Sequence, residues 1–207
     1  MATRNQLNPP PLRKITDFKS KLTGGGARSN LFEVELAFPK AVQVDGLNDI
    51  LQKARFLVKT AALPASNIAP IEVPFRGRVL KIAGDRTFDT WSLTVINDTD
   101  FSIRNSMEAW MQHIGQHADA SGATNPGDYQ INADVVQYSR VPSDLTSIQG
   151  SGDQNMKVAK AYKFYGIFPT NISAIDLSYD TGDTIEEFTV EFQVQYWGVS
   201  TGEQEKA

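Results

Sequence analysis

The segment KIAGDRTFDTWSLTVIN, residues Lys81–Asn97, decides the fold class of this chain. Apolar residues lead into it, and Gly84–Asp85 is a dipeptide typical of tight turns. After that dipeptide, Trp91, Leu93 and Val95 alternate with hydroxyl side chains. Because alternate residues of a strand point to opposite faces, the segment predicts a strand, a turn and a second strand whose apolar side lies in a core.

Similar stretches occur on both sides of this segment. The clearest alternation is in the stretch nearest the C-terminus, where aromatic and aliphatic residues from Phe188 to Tyr196 alternate with Glu, Thr and Gln. Pro169 separates Met156–Phe168 from the further segment Ile172–Tyr179. The other predicted strands are Asn30–Phe38, Ala54–Ala62, Phe75–Ala83, Gln130–Arg140, Met156–Phe168 and Thr184–Trp197.

One strongly helical segment follows the central strands. Asp98, Thr99 and Asp100 are helix N-cap residues, and an apolar stripe follows over the predicted helix Phe101–His117. The stripe consists of Ile103, Met107, Trp110, Met111 and Ile114. A shorter helix is predicted over Val44–Lys53, capped by Asp45. Together these patterns predict a mainly β protein, a β-sandwich or open barrel of antiparallel strands with one packed α-helix. Trp91 and Trp110 are expected to lie in the core beneath this helix.

The chain is predicted to consist of an N-terminal arm (1–29), a β-sandwich domain (30–197) and a flexible C-terminal tail (198–207). Within the arm, Ile15, Phe18 and Leu22 fall on one side of a possible short helix. Residues 1–28 carry six Lys or Arg and one Asp, whereas residues 176–207 carry eight Asp or Glu and one Lys. The two ends could attract each other, within a subunit or between neighbours, or could be two solvated tails.

Composition narrows the function classes. A net charge of −4 argues against a general nucleic-acid binder, and the absence of cysteine excludes disulfides and thiolate chemistry. No apolar run reaches the length of a transmembrane helix, and the start of the chain lacks the apolar stretch of a secretory signal. We therefore expect a soluble protein without membrane anchoring.

The motifs that carry catalytic or metal chemistry are weak or missing. His113 and His117 have the i, i+4 spacing of a zinc pair but lack a third ligand and the glutamate of the HExxH pattern. Gly24–Gly26 lacks the lysine of a phosphate loop and reads as a flexible joint. No nucleophile elbow is present. The sequence predicts a protein that is not an enzyme and holds neither metal nor cofactor.

The region Thr60–Ala83 is predicted to be a long hairpin. Two prolines keep it out of a sheet interior, and its isolated apolar residues Ile68, Ile71 and Val73 suggest either a contact surface or a loop folded back on its own domain.

The block AGDRTFDTWSLTVIND (Ala83–Asp98) resembles the tail tube protein of contractile-tailed bacteriophages. The upstream ALP, the downstream IFPTNI and the closing QYW share this resemblance, which extends with gaps from Asn30 to Trp197. It implies a tail-tube-like β-sandwich, related to the type VI secretion tube protein. Such proteins form hexameric rings that stack into a hollow tube, inside a contractile sheath, through which the genome is delivered.

The resemblance also implies site residues. The hairpin Thr60–Ala83 would bridge one ring to the next, and the expected inter-ring contacts are Ile68, Ile71, Val73, Arg76 and Arg78. Acidic strand faces would line a channel along which DNA slides, because carboxylates repel phosphates. The expected lumen-lining residues are Glu33, Glu35, Glu187, Thr189, Glu191 and Gln193. The alternative for this second set is ordinary solvent-facing strand residues.

The partners implied by the resemblance are further copies of the chain, the sheath protein, the baseplate and tail-terminator proteins, and, in the lumen, the tape measure protein and DNA without sequence-specific binding. The protein would belong to the virion tail tube and be assembled in the host bacterial cytoplasm. The segments 45–53 and 142–155 would be insertions that face outward. Two alternatives stay open: the tube protein of a type VI-like secretion system, and a β-sandwich binding or decoration module of a virion.

Overall fold

Nine strands and four helices make up the part of the chain that the computed structural model describes, residues 14–22, 26–42, 46–119, 121–142, 156–180 and 182–200. The helices are α1 (Ile15–Lys21), α2 (Leu47–Leu57), α3 (Ser102–Ile114) and α4 (Pro126–Tyr129). The strands are β1 (Phe32–Glu35), β2 (Val58–Ala61), β3 (Ser66–Phe75), β4 (Arg78–Phe88), β5 (Trp91–Ile96), β6 (Ile131–Pro142), β7 (Met156–Ile172), β8 (Glu187–Gln193) and β9 (Tyr196–Ser200).

The residues group into two units. The first comprises 1–31 and 138–159, and the second comprises 32–137 and 160–207. In the first unit, α1 exposes the apolar side predicted from sequence, with Ile15 69% and Phe18 62% accessible, and the Tyr138 backbone N–H donates to the Leu31 carbonyl. Most of the predicted arm lies outside the described residues.

A seven-stranded sheet carries the fold of the second unit. Its strand order is β1-β6-β7-β8-β5-β2, with β9 pairing to β7. The pairs β1–β6, β2–β5, β5–β8, β7–β8 and β7–β9 are antiparallel, and β1 also contacts β2. Because the two ends of the strand order meet, the sheet curls into the open barrel that the strand patterns predict.

The core lies on the inner face of this sheet. Trp91 is fully buried and stacks on Phe164, with ring centroids 4.5 Å apart. The register places Leu93 opposite Val190 and Val95 opposite Phe188, and directly opposed side chains in an antiparallel pair share a face. The alternation of β5 and β8 therefore predicted the buried face correctly.

Helix α3 covers this core through its predicted apolar stripe. Ile103, Met107 and Trp110 are buried, and the indole Nε1 of Trp110 donates to the Tyr129 carbonyl at 2.9 Å. The Asp98 carboxylate accepts from the Ser102 backbone N–H and hydroxyl at 3.0 and 2.8 Å. The predicted packing of Trp91 and Trp110 is confirmed. The N-cap residue is Phe101, with φ 53°, instead of one of the three predicted residues, although Asp98 accepts the first helical N–H.

Helix α2 begins and ends later than the sequence pattern suggested. It runs to Leu57, so that β2 is only four residues long, because Ala54 continues the buried side begun by Ile50 one turn earlier. Gly46, in the left-handed region with φ 75°, precedes its first turn. The predicted cap Asp45 lies outside the described residues.

The turn predicted at Gly84–Asp85 is wrong. Strand β4 continues through both residues to Phe88, and only Asp89 and Thr90 separate it from β5. The pairing of β3 with β4 shifts register next to Gly84, where an added Cβ would lie 2.5 Å from the Ala69 carbonyl oxygen. The glycine therefore permits a close backbone approach at a bulge.

The predicted strand Thr184–Trp197 is two strands. Val194 and Gln195 separate β8 from β9, which pair with different parts of β7. The corner falls at Gly166, whose φ is +61°. Strand β9 also continues to Ser200, three residues into the predicted flexible tail.

Strand β7 contains Pro169 at a register shift, a position where a missing N–H is tolerated. It ends at Ile172, so the segment Ile172–Tyr179 is irregular chain instead of a further strand. Of the predicted insertion 142–155, residues 143–155 lie outside the described residues.

Candidate functional site: a free hairpin and a polar sheet face

Strands β3 and β4 form a two-stranded ribbon separate from the main sheet. All residues from Asn67 to Ala83 are exposed. The base of the ribbon is fixed: the Phe88 ring packs edge-on against Trp197 at 6.3 Å, and the Asp89 backbone N–H donates to the Ala65 carbonyl at 3.1 Å. The region is thus a free-standing hairpin with a fixed base, and it does not fold back on its own domain.

The tip of the hairpin is a two-residue turn of Arg76 and Gly77. Both residues have positive φ, 47° and 81°, the combination found in type I′ turns, whose twist matches that of a β-ribbon. The Arg76 guanidinium lies over the Phe75 ring, 5.3 Å from its centroid. The tip therefore carries Arg76 over an exposed aromatic ring, with Arg78 directly opposite Phe75 on the next strand.

One side of the hairpin is apolar. Ile71 is opposite Ile82, Val73 is opposite Leu80, and Phe75 is opposite Arg78. We call Ile71, Val73, Phe75, Leu80 and Ile82 the apolar face; their exposed fractions run from 41% to 65%.

The other side of the hairpin carries Glu72, which forms an ion pair with Lys81 at 3.4 Å. By strand alternation, Ile68 falls on that side too. The structure thus brings four of the five expected inter-ring residues together around the apolar face and its tip, and it separates Ile68 from them.

The second expected set lies mainly on the outer face of the main sheet. In β8, Glu187, Thr189, Glu191 and Gln193 alternate with buried residues and point away from the core. Three of them have polar partners, on β2, β5 and β7. Lys59 Nζ lies 2.5 Å from Glu187, the Thr94 hydroxyl lies 3.4 Å from that of Thr189, and the Asn171 amide donates to Glu191 at 3.5 Å.

Glu33 and Glu35 lie on β1, at the other end of the strand order. The Arg55 guanidinium of α2 contacts both carboxylates, at 3.5 and 3.0 Å. Asp134 is directly opposite Glu35, and burial raises the pKa of its carboxyl while the Lys163 ammonium partly opposes that change. This acidic group is therefore partly compensated by cations, as Glu187 of β8 is by Lys59.

Sequence reasoning missed one exposed surface, the chain between β7 and β8. We call residues 173–186 the acidic loop: they contain four acidic residues and no Lys or Arg. Leu177, Tyr179 and Ile185 are largely exposed in it, around an open cavity of about 630 Å³. The signal that could have found it was the charge, which the sequence analysis treated only as part of an acidic end that either attracts the basic start of the chain or is solvated.

The histidine pair lies at the end of α3. His113 is in its last turn and His117 follows the helix and is exposed. In the described ranges, no three His, Asp or Glu side chains gather as a metal site. None of the helices in the described part of the chain is long and apolar enough to span a bilayer.

Comparisons with known proteins agree with this geometry. The family model described as phage tail tube protein matches residues 27–200. The tail tube protein gp19 of Enterobacteria phage T4 is 32% identical over 176 residues, which cover 84% of this chain and 93% of that protein.

Two solved structures share the fold at low sequence identity. The cryo-EM structure of the anti-feeding prophage baseplate contains a chain with a TM-score of 0.56 and 8% identity, over 84% of this chain and 95% of that one. The sheath-tube complex of an extracellular contractile injection system contains another, with a TM-score of 0.54 and 9% identity, over 87% and 96%.

Proposed function

The chain belongs to the phage tail tube protein family, and from that premise we propose that it polymerises as stacked hexameric rings into the inner tail tube of a contractile-tailed bacteriophage. The tube would be the channel through which the genome is delivered. It is a structural component of the virion, and we propose that it has no catalytic role.

The observation that carries this proposal is the free hairpin. A two-stranded ribbon without a third strand or a covering layer is marginally stable in water, and exposed apolar patches in soluble proteins mark contact sites. Here the apolar face lies uncovered on such a ribbon. We infer that another ring of the tube covers it, with Ile71, Val73, Arg76 and Arg78 in the contact. Ile68 would contact a neighbour from the other side.

We propose that the outer face of β8 lines the lumen. Glu187, Thr189, Glu191 and Gln193 form a continuous polar row whose side chains point away from the core. A row of carboxylates repels phosphates within the Debye length, about 8–10 Å, so that DNA slides without sticking. Glu33 and Glu35 belong to the same proposed lining, where Arg55 cancels part of their charge as Lys59 does for Glu187.

We further propose the partners that a tail tube requires. These are the sheath protein outside, the baseplate and tail-terminator proteins at the ends, and the tape measure protein and DNA in the lumen. Assembly would take place in the cytoplasm of the bacterial host. Support comes from relatives of the same fold, which occur in a sheath-tube complex and in a baseplate.

Negative-stain electron microscopy of the purified protein tests the proposal. We expect hollow tubes or stacked rings at high concentration, or on addition to baseplate-primed tubes. The double variant Val73→Asp with Leu80→Asp should stay unassembled, because it places two charges in the apolar face. The matched control, Asn105→Asp with Gln112→Asp, adds the same charges to exposed positions of α3 and should assemble. Wild-type protein that fails both to form tubes and to extend primed ones would contradict the proposal.

The lumen assignment can be tested by labelling, because the chain has no cysteine. Glu191→Cys should react with a bulky maleimide in free subunits and be protected in intact tubes. Gln112→Cys, on the exposed side of α3, is the control and should react in both. Equal reactivity of the residue-191 variant in tubes and free subunits would exclude the β8 face from the lumen.

A further inference from the structure

We propose that the hairpin of one copy docks on the acidic loop of another copy, with the apolar face against Leu177, Tyr179 and Ile185 and the arginines of the tip against the loop aspartates. This inference rests on the proposed function and assigns the partner surface of its inter-ring contact. Four observations carry it.

The first is that the acidic loop has an uncovered apolar surface of its own. Leu177 is 80% exposed and Ile185 is 72% exposed, and the Tyr179 side chain is fully open to solvent. They lie close in sequence to Asp176 and Asp180. Large apolar side chains exposed together on a soluble protein indicate a contact surface, and the neighbouring charges indicate the sign of its partner.

The second is that, within the described part of the chain, no Lys or Arg pairs with the loop aspartates. Glu186 accepts a hydrogen bond from the Asn97 amide at 3.0 Å. Asp176, Asp180 and Asp183, by contrast, make no ion pair with any residue in the described ranges. Among the described residues, the loop thus presents negative charge without a paired cation beside its apolar side chains.

The third is that the hairpin tip has the complementary composition. Residues 75–81 contain three basic residues and no acidic one. Arg76 lies over the exposed Phe75 ring, and Arg78 shares the side of the apolar face. Guanidinium groups bind carboxylates through two parallel hydrogen bonds, and complementary charge at an interface fixes register and speeds association more than it adds affinity. The tip therefore fits an apolar surface bordered by carboxylates.

The fourth is the place of the two surfaces in the fold. Trp91, at the start of β5, pairs with Phe192, whereas Ile96, at its end, pairs with Glu187. The hairpin enters and leaves the sheet beside Trp91, and the acidic loop ends immediately before Glu187. At about 3.4 Å per residue, the two roots are about 17 Å apart, at opposite ends of the β5–β8 pair.

Because both surfaces are exposed in the single chain, each needs a second copy to cover it. Two different surfaces at opposite ends make a heterologous, head-to-tail contact, which leaves a free hairpin at one end of every assembly and a free loop at the other. Such contacts add subunits in one direction without closing. A stack of rings requires this arrangement.

Charge reversal tests the proposed pairing. The hairpin variant carries Arg76→Glu and Arg78→Glu, and the loop variant carries Asp176→Lys and Asp180→Lys. Tubes made of either variant alone should lengthen at least about tenfold more slowly than wild-type tubes, because like charges meet in the interface. The combined variant, with all four substitutions, should assemble again, since attraction is restored with opposite signs. A 1:1 mixture of the two variants should also assemble.

The control Asp49→Lys with Asp128→Lys makes the same change in net charge at exposed positions outside the loop and should assemble as wild type does. Circular dichroism and sedimentation confirm that each free variant is folded. A chain damaged by its first reversal would not be restored by a second, so the combined variant separates lost pairing from lost folding.

The outcomes distinguish this inference from the proposed function. If the wild-type protein never assembles, the proposed tube-forming function is contradicted. If wild-type protein forms tubes, then either a loop variant that assembles normally or a combined variant that stays unassembled overturns the hairpin–loop pairing and leaves the tube intact.

Discussion

Replacing Gly166 with alanine should destabilise the corner at which β7 changes partners. Its φ of +61° lies in the left-handed region, and an added Cβ would lie 2.7 Å from Cγ of Gln195. The backbone N–H of this glycine also donates to the Asn132 side chain at 3.2 Å, so the peptide cannot rotate away without losing that bond. The methyl group therefore has to be accommodated by strain.

The cost can be estimated term by term. The left-handed conformation costs an L-residue about 1–2 kcal/mol. Moving the Gln195 side chain off its rotamer adds about 0.5–1.5 kcal/mol. Alanine also lowers the conformational entropy of the unfolded chain, which offsets about 0.4–1 kcal/mol of this cost. The net loss is centred at about 2 kcal/mol, which for a chain of this size lowers Tm by about 4–8 °C.

Urea unfolding, followed by tryptophan fluorescence at a concentration where the protein sediments as one species, measures this loss. Gly198→Ala is the matched control, because an added Cβ there meets nothing within 4 Å; its stability should be unchanged or slightly raised. Adding Gln195→Ala to Gly166→Ala should recover the stability lost to the clash with the Gln195 side chain. It should leave the loss caused by the positive φ of residue 166. A Gly166→Ala protein within about 0.5 kcal/mol of wild type would refute the reasoning.

Two further substitutions probe the core and the helix cap. Burial raises the pKa of the Asp98 carboxyl, but hydrogen bonds from a lysine and from Ser102 outweigh it and hold the pKa below its ordinary value. Its stabilisation is therefore present above about pH 4 and is lost as pH falls through the lowered pKa. Asp98→Ala should cost about 1 kcal/mol at pH 7, and urea titrations at pH 7 and 3 should show the difference from wild type shrinking; a pH-independent difference would contradict it. Trp110→Phe should destabilise more than Trp91→Phe, by about 1 kcal/mol in the same titration, because the Trp110 indole N–H donates to the Tyr129 carbonyl whereas that of Trp91 has no hydrogen-bond partner among the described residues. Equal losses of stability in the two variants would mean that the removed side-chain volume alone sets the cost, without a contribution from the hydrogen bond.

Local pattern was enough for several parts of this protein. The alternation around Phe188 and Val190 and the apolar stripe of α3 correctly identified the core, because periodicity reports which side of an element faces away from water. The exposed hairpin was also predictable, since Pro70 and Pro74 cannot donate to a central ladder. The block Ala83–Asp98 alone was enough to indicate the family that the family model matches.

Other features depend on partners distant in sequence. A Gly–Asp dipeptide favours a turn, but pairing with β3 turned Gly84–Asp85 into a bulge within a longer strand. One alternating run became two strands because β7 bends at Gly166, about 30 residues before the break at Gln195. Boundaries of this kind are set by the register of the neighbouring strand.

The sequence by itself determined the fold class, the buried faces and the family, since all three follow from the order of residue types along the chain. Only the tertiary structure showed that Arg55 lies against Glu33 and Glu35. Only the structure showed, too, that the hairpin and the acidic loop leave the sheet at opposite ends. Charge and apolarity are local properties of a sequence, but the side of the molecule on which they lie is fixed by strand order and register, which arise from contacts between residues far apart in the chain.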